Sequence, residues 1–138
     1  MIITKKIKLS TKGDTDIINI TAETSSAVLN SGLDNGSVTI FVPGSTGSIT
    51  TVEYEPGLIS DLKVFLEKIA PKADTYQHNI KMKDGNGHSH VRASLLGPGI
   101  TVPFSDNKIL LGKWQQIVFI DFDNRPRDRE IIIQIIGE

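Results

Sequence analysis

Cysteine is absent from this 138-residue sequence, which excludes disulfide bonds, thiolate metal sites and a cysteine nucleophile. Aromatic residues are also few, at 6% of the chain, so a nucleic acid would find few rings on which its bases could stack. The 15 basic and 16 acidic side chains give a formal net charge of −1, which offers no general attraction to nucleic acid or to an anionic membrane. We therefore expect no nucleic-acid partner.

Long apolar runs are missing as well. No stretch approaches the roughly 20 apolar residues that a transmembrane helix requires. Met1 is followed by Ile-Ile-Thr-Lys-Lys, a strand-like start that lacks the apolar centre of a signal peptide. These features predict a cytoplasmic protein that does not use a membrane as a partner.

What the sequence does contain is a series of short segments with the alternation or the β-branched content of strands. No linker, repeat or low-complexity stretch divides residues 1–138, and this length is enough for one domain with its own core. The predicted strands are 2–9, 37–42, 49–53, 100–104, 109–111, 115–121 and 130–136.

Helical spacing is found in two segments, 21–30 and 57–70. In the first, Glu23 lies in the first turn, where a carboxylate favours the helix. In the second, Pro56 suits the first turn, apolar residues recur at helical spacing and Pro71 follows the end. Two helices among antiparallel strands predict a single-domain α+β fold with a β-rich core.

Residues 84–92 concentrate ionisable and amide side chains, in the order Asp-Gly-Asn-Gly-His-Ser-His-Val-Arg. If this segment is a strand, His88 and His90 lie on one face, because side chains alternate with a period of two. Imidazoles so placed could share a metal ion, or bind an anion when protonated, with Asn86 beside them. A solvent-exposed polar loop explains the pattern equally well. The third histidine, His78, stands alone, and isolated histidines are more often structural than ligands.

The segment 43–48, Pro-Gly-Ser-Thr-Gly-Ser, separates two predicted strands. A glycine-bearing loop with the hydroxyls of Ser45 and Thr46 could bind a phosphate through its backbone N–H groups. An ordinary β-turn is the more common explanation of such a loop. Glu53, at the end of the following strand, could act as a base, as a Mg²⁺ ligand or as a surface carboxylate.

Four arginines form a further candidate set: Arg92, Arg125, Arg127 and Arg129. In an extended chain Arg127 and Arg129 point the same way, which suits bidentate recognition of phosphate or carboxylate. A solvated charged turn is the alternative. The single tryptophan, Trp114, is typical of a core or subunit interface, and Gln115 would point away from it, toward a pocket.

These segments also match a known pattern. Its elements are Val-Pro-Gly-Ser-Thr at 42–46, Ile-Thr-Thr-Val-Glu at 49–53, Asn-Gly-His-Ser-His-Val-Arg-Ala-Ser-Leu-Leu-Gly-Pro at 86–98, Val-Pro at 102–103, Leu-Gly-Lys-Trp-Gln-Gln-Ile at 111–117 and Arg-Asp-Arg at 127–129. Across nearly its full length the chain resembles the YjbQ-like family, whose members are often labelled secondary thiamine-phosphate synthase.

The resemblance implies a barrel-like α+β domain with two main helices that assembles as a homotrimer. It also implies a pocket near the subunit boundary that contains His90, Asn86, Glu53 and the paired arginines. Members commonly have a histidine before the Thr-Thr of the first loop, whereas this chain has Gly44 there and Ser45 in place of the first threonine. That departure removes a plausible metal ligand, for which His88 could compensate.

Three functions follow as expectations. The family label implies an enzyme that joins hydroxymethylpyrimidine diphosphate to thiazole phosphate. In this reaction Arg127, Arg129, the Ser45 and Thr46 loop and a Mg²⁺ near Glu53 would bind the diphosphate, and His90 would donate a proton or bind the metal.

The second function is a metal-dependent hydrolase, with Zn²⁺ held by His88, His90 and Glu53. The third is a non-catalytic trimeric module that binds a phosphorylated or carboxylated metabolite. No organic cofactor is expected in any of the three. All of them require that His90, Glu53, Arg127 and Arg129 line one cavity, within a subunit or across subunits.

Overall fold

Eight strands and four helices make up the chain in the computed structural model, which describes all 138 residues. The strands are β1 (Ile2–Thr11), β2 (Asp16–Asn19), β3 (Gly36–Phe41), β4 (Gly47–Val52), β5 (Gly99–Ser105), β6 (Lys108–Ile109), β7 (Gln116–Asp121) and β8 (Arg127–Gly137). The helices are α1 (Thr21–Leu29), α2 (Pro56–Ile69), α3 (Gln77–Met82) and α4 (Gly87–Leu96). None of the helices combines the length and the apolar character that crossing a bilayer would require.

All strand pairs are antiparallel, and they form two sheets. The larger sheet has five strands in the order β1-β8-β3-β5-β6, and the smaller has three in the order β2-β7-β4. The long strands β1 and β8 pair from Ile2 with Ile136 to Thr11 with Arg127, so the two ends of the chain lie side by side. The result is the predicted α+β architecture, a curled antiparallel half-barrel with helices packed on it.

Strand β7 separates two hydrophobic clusters because its alternate side chains point to opposite faces. Ile117 and Phe119 belong to the main core, which lies between the two sheets and includes the inward isoleucines of β8. Val118 and Ile120 face the other way, toward Leu66 of α2 and Ala93 of α4. Helices α2 and α4 therefore form an outer layer on the three-stranded sheet.

Most of the predicted elements are confirmed, and the exceptions lie in polar segments. The two predicted helices correspond to α1 and α2, and each predicted strand has a counterpart within a few residues. The structure adds β2, α3 and α4, so the prediction of two main helices is incomplete. Helix α4 is the important addition, because it contains the segment 88–92 that we expected to be a strand or a loop.

The turn between β1 and β2 packs against the loop that follows β7. Gly13 has φ +75°, and a Cβ there would lie 2.5 Å from the carbonyl oxygen of Arg125 and 2.7 Å from that of Asp123. Both neighbours are backbone atoms, so neither can move aside cheaply. Only glycine allows this approach, which also lets Asp14 donate its N–H to the Asp123 carbonyl at 2.7 Å.

A pair of glycine substitutions tests this close approach. Gly32 has nearly the same φ, +72°, but nothing lies within 4 Å of a Cβ placed there. Gly32→Ala should cost about 1 kcal/mol of unfolding free energy, which is the left-handed backbone penalty. Gly13→Ala should cost about 1–3 kcal/mol more, because it adds overpacking. Denaturant unfolding followed by circular dichroism measures both losses, and equal losses would contradict the predicted contact.

Candidate functional site

Helix α4 places the histidines on different sides, so the prediction that His88 and His90 share a face is wrong. Successive residues of an α-helix are about 100° apart, which puts residues i and i+2 about 200° apart. His88 is 1% exposed, whereas His90 is half-buried on the other side of the helix. A metal ion held by this pair is therefore not supported within the chain.

The composition of its buried face explains why α4 escapes recognition in the sequence. The buried residues are Gly87, His88, Ser89, Arg92 and Ala93, while the apolar Val91 and Leu95 point outward. A helix is recognised by an apolar stripe at a spacing of 3.6 residues, and here the packed side is mainly polar.

His90 belongs to a cluster with His78 and Asp84. The ligand atoms of the three side chains all lie within 4.8 Å of one another. His78 Nε2 lies 3.2 Å from the Asp84 carboxylate, and the rings of His78 and His90 have centroids 4.5 Å apart. The backbone N–H of Asn86 and the imidazole of His78 hold the pKa of Asp84 below its usual value. Asp84 is thus an ionised carboxylate beside two imidazoles.

Short-range packing holds this cluster together. Lys83 adopts the left-handed conformation, φ +57°, and ends α3 so that Asp84 can turn back toward α4. Asn79 accepts the N–H of Gly87 at 2.8 Å, and a Cβ at Gly87 would lie 2.5 Å from Tyr76 Cβ. The glycine at the start of α4 therefore allows α3 to pack closely against it. His78, which sequence reasoning set aside, and Asp84 meet His90 only through this packing.

His88 lines a separate polar cavity on the other side of α4, which we call the His88 cavity. Burial lowers the pKa of His88, and the nearby charges of Arg92 and Lys72 lower it further, despite opposing contributions from Asp14 and Glu67. The imidazole is therefore neutral at pH 7. The cavity is lined by Asp14, Thr15, Lys63, Glu67, Lys72, His88 and Arg92.

Arg129 is buried in an ion pair instead of being presented to a phosphate. Its Nε and Nη2 donate to the two oxygens of Asp121 at 2.9 and 2.8 Å, and Nη2 also donates to Thr46 Oγ1 at 2.7 Å. Burial alone would raise the pKa of Asp121, but hydrogen bonds from Arg129 and from Thr11 outweigh it and lower the pKa. Thr46 and two nitrogens of Arg129 are therefore already paired in the free chain. Nη1 of Arg129 has no partner and lies beside the Gly44 loop, so its predicted role in binding a ligand phosphate stays a prediction.

The buried network continues through Asp123 to the start of α4. Thr46 donates to one oxygen of Asp123, and Asn86 Nδ2 donates to the other, each at 3.2 Å. Asn86 Oδ1 in turn accepts the hydroxyl of Ser89 at 2.7 Å and the N–H of Asn124 at 3.1 Å. Asn86 acts here as a structural connector, and its own N–H binds Asp84 at 3.0 Å.

Two of the predicted phosphate-binding residues remain accessible near this network. Ser45 is exposed, next to Gly44. The Arg127 side chain is 35% exposed, and its Nε lies 3.9 Å from Asp123. Arg125 lies at the same distance from Asp123 and is more exposed. Arg127 can therefore reach a ligand near the Asn86 end of α4, and Arg129 has only Nη1 free to do so.

Glu53 and Gln115 lie outside the network around Asp123 and the cluster around His90. They line a shallow pocket of about 410 Å³ together with Trp114, and Gln115 Nε2 donates to Thr51 Oγ1 at 3.1 Å. Glu53 follows the end of β4 and Thr46 precedes its start, so the strand separates them by about 20 Å. The expected convergence of Glu53 with His90, Arg127 and Arg129 is therefore wrong within one chain.

Acid unfolding tests the buried pair. The pKa of Asp121 is lower in the folded protein than in the unfolded chain, where it is about 3.9. The pair therefore stabilises the fold above pH ~4, and this contribution is lost as the pH falls through the folded-state value. Asp121→Asn leaves Arg129 buried without its counter-charge, and at pH 7 it should cost about 3–5 kcal/mol of unfolding free energy.

The matched control is Asp128→Asn. Asp128 is an exposed carboxylate on the same strand as Arg129, and it accepts a hydrogen bond from Ser10 Oγ. Unfolding in urea between pH 2 and 7 should show a flattened acid limb for Asp121→Asn only. Equal behaviour of the two variants would contradict the assigned role of the pair.

Comparisons with known sequences and known structures all point to one family. The family model described as UPF0047 protein YjbQ-like matches residues 5–138. A UPF0047 protein of Methanothermobacter thermautotrophicus is 36% identical over 137 residues, which cover 99% of this chain and 94% of that protein. The UPF0047 protein YugU of Bacillus subtilis is 30% identical over 135 residues, covering 96% and 98%.

Two solved structures are similar over nearly their whole length. A YbjQ-like protein of unknown function from Sulfolobus solfataricus superposes with a TM-score of 0.95 at 30% identity, covering 100% of this chain and 99% of that one. An uncharacterised YjbQ/UPF0047 protein from Clostridium acetobutylicum gives 0.88 at 37% identity, covering 96% and 99%. By sequence and by fold, the chain belongs to the YjbQ-like UPF0047 family.

Proposed function

We propose that the protein is an enzyme that acts on a phosphorylated small molecule with the help of a divalent metal ion bound by His78, Asp84 and His90. The observation that supports this proposal is the approach of the three ligand atoms to within 4.8 Å of one another. A set of two imidazoles and one carboxylate is a common metal-binding combination that leaves coordination positions open for substrate or water.

The donor set favours one class of metal over another. Imidazole nitrogen suits Zn²⁺, Mn²⁺, Fe²⁺ and neighbouring ions, whereas Mg²⁺ prefers oxygen ligands. We therefore propose a transition-metal ion at His90, and not the Mg²⁺ ion near Glu53 that the sequence led us to expect. When bound, such an ion would polarise a phosphoryl oxygen and neutralise its developing charge.

Residues beside the cluster can position an anionic substrate. Arg127 is partly exposed and linked through Asp123 to Asn86, whose N–H holds Asp84. Its guanidinium can form paired hydrogen bonds with phosphate oxygens. Ser45, on the exposed loop before β4, offers a further hydroxyl. Arg129, whose Nε and Nη2 are paired with Asp121 and Thr46, supports this surface from inside.

The specific reaction proposed is the one that the family resemblance suggests. The bond between the methylene carbon of hydroxymethylpyrimidine and its diphosphate oxygen breaks, and pyrophosphate leaves with the electron pair. The ring nitrogen of thiazole phosphate then bonds to that carbon to give thiamine phosphate. The protein's contribution would be to orient the two substrates and to bind the departing pyrophosphate at Arg127.

The proposal includes a homotrimer that works in the cytoplasm, as the resemblance and the composition suggest. Helix α4 exposes Val91 and Leu95, one turn apart, on its outer side. A second copy of the chain could cover this apolar pair. Sedimentation equilibrium measures the mass of the assembly, and a monomer at micromolar concentration would refute this part of the proposal.

Activity of the purified, metal-loaded protein tests the function. With hydroxymethylpyrimidine diphosphate and thiazole phosphate supplied, thiamine phosphate should form at a rate that depends on added Zn²⁺, Mn²⁺ or Co²⁺. His90→Ala and His78→Ala should lower the rate at least about 100-fold, because each removes a metal ligand. Asp84→Asn should act similarly. The control is Asp61→Asn, which removes an exposed carboxylate on α2 and should leave the rate unchanged.

Other outcomes identify the alternatives. Release of pyrophosphate without thiamine phosphate would indicate a metal-dependent hydrolase that uses His90 with His78 and Asp84 instead of His88. Binding of both substrates without turnover would favour the non-catalytic metabolite-binding module. Activity that survives unchanged in His90→Ala would contradict the proposed centre.

A further inference from the structure

Strand β1 leaves one of its two edges without a neighbouring strand. It is the terminal strand of the five-stranded sheet, and it pairs only with β8. At ten residues it is longer than β2, β4 and β6, the strands at the other sheet edges. An open edge of this length presents a row of unpaired backbone groups, to which an extended chain can add as a further strand.

The hydrogen bonds at the start of β1 determine which of its backbone groups face the open edge. The amino group of Met1 donates to the carbonyl of Gly137 at 2.7 Å, and the N–H of Gly137 donates to the carbonyl of Met1 at 3.1 Å. In an antiparallel ladder, such hydrogen-bonded pairs alternate with pairs that are not bonded to each other. The odd-numbered residues of β1 are therefore bonded to β8, and the free backbone groups belong to Ile2, Thr4, Lys6, Lys8 and Ser10.

A groove of about 450 Å³ lies beside β1, between this strand and helix α1. The apolar part of its lining consists of Ile7, Ala22, Ala27 and Ile133. Side chains of a strand alternate between its two faces, so every second side chain of a segment added to β1 would point toward this groove. Apolar side chains suit these positions, because the groove would remove them from water.

Positive charge is concentrated along the same strand. Residues 1–12 contain lysine at positions 5, 6, 8 and 12 and no acidic side chain. Among these lysines only Lys6 forms an ion pair, with Glu130 at 3.1 Å. Lys6 and Lys8 are both exposed, and the alternation along β1 places them on the face opposite to Ile7. On that face, an added segment would be attracted through acidic side chains.

The same lysines disfavour pairing between two copies of this chain. Because only even-numbered residues of β1 have free backbone groups, antiparallel pairing about a two-fold axis sets even-numbered residues opposite each other. Every such register centred on residues 5 to 8 then places a lysine opposite a lysine. Like charges directly opposite each other in a ladder are destabilising. The edge therefore favours a segment of different sequence over a second β1.

We propose that β1 is a docking strand for an extended segment of another protein in which acidic and apolar residues alternate. The segment adds to the five-stranded sheet through the free backbone groups of β1. Its apolar side chains enter the groove beside α1, and its acidic side chains meet Lys6 and Lys8 on the other face. This interaction goes beyond the reaction proposed above and uses none of the residues assigned to it.

Three nine-residue peptides test the predicted pattern by NMR titration of the full chain. The first alternates glutamate with valine, and the second has lysine in place of each glutamate. The third has the composition of the first in an order without alternation. The first peptide should bind at least about 10-fold more tightly than either of the others, because only this peptide combines complementary charge with the alternation of a strand.

Amide hydrogen exchange shows whether the peptide adds at the open edge. In the free chain, the N–H groups of Thr4, Lys6 and Lys8 should exchange rapidly, whereas those of Lys5 and Ile7 should be protected by their bonds to β8. The glutamate–valine peptide should slow the exchange of the first group at least about 10-fold, because these amides then donate to the added strand.

A double substitution tests the role of the charges. Lys5→Gln combined with Lys8→Gln removes two lysines that have no ion-pair partner, and it should weaken binding of the glutamate–valine peptide at least about 5-fold. The control combines Lys68→Gln on α2 with Lys108→Gln on β6. It changes the net charge equally but away from β1, and it should leave binding unchanged.

The proposal would be overturned by equal binding of the three peptides or by equal affinities of the two double variants. Slow exchange of Thr4, Lys6 and Lys8 in the free chain would also overturn it, because the edge would then already be covered. None of these measurements needs a metal ion or a substrate, so they succeed or fail independently of the proposed function.

Discussion

The buried ion pair between Arg129 and Asp121 connects the strands that carry the candidate site. Two charges removed from water must be fully hydrogen-bonded, or the fold loses several kcal/mol. Here Thr11 and Thr46 complete the pairing, so the ends of β1, β7 and β8 meet the loop before β4 at one point. Through Asp123, the same network fixes where helix α4 begins.

Fixing the start of α4 decides what its two histidines can do. With Asn86 held by Asp123, the helix directs His90 outward to His78 and Asp84 and directs His88 inward to the polar cavity. One side of the helix presents His90 to the side chains of His78 and Asp84, and the other side carries the buried His88. The two-residue spacing of the histidines thus places them in two different surroundings instead of in one shared site.

Much of the fold could be predicted from the sequence, because apolar periodicity carries most of the information. Strands β7 and β8 bury regular apolar residues, and their patterns predict them. Helix α2 is predicted by its apolar spacing although it buries only Leu66 fully, with Ile59 and Leu62 partly buried beside it. Helix α4 was not, because its packed face consists of residues such as His88 and Arg92 that do not form an apolar stripe. The short strand β2 and the six-residue helix α3 offer too few residues for a periodic signal.

The candidate site was only partly predictable, for a related reason. His90 and Asn86 were identified from their local concentration of polar groups, and both lie in or beside the cluster. The pairing of His90 with His78 depends on how α3 packs against α4, which no local pattern encodes. Conversely, the family resemblance groups Glu53 with the paired arginines, although the length of β4 separates it from Thr46, which is bonded to Arg129. The sequence singles out Arg129, but it does not reveal that two of its nitrogens are paired with a buried carboxylate and a threonine.

Metal binding at His90 is tested most directly by an anomalous-difference map from crystals of the full chain grown with Zn²⁺, recorded at the zinc absorption edge. We expect one strong peak within coordination distance, about 2.0–2.2 Å, of His78, Asp84 and His90. A peak shared by His88 and His90, or no peak at His90 under saturating zinc, would contradict it.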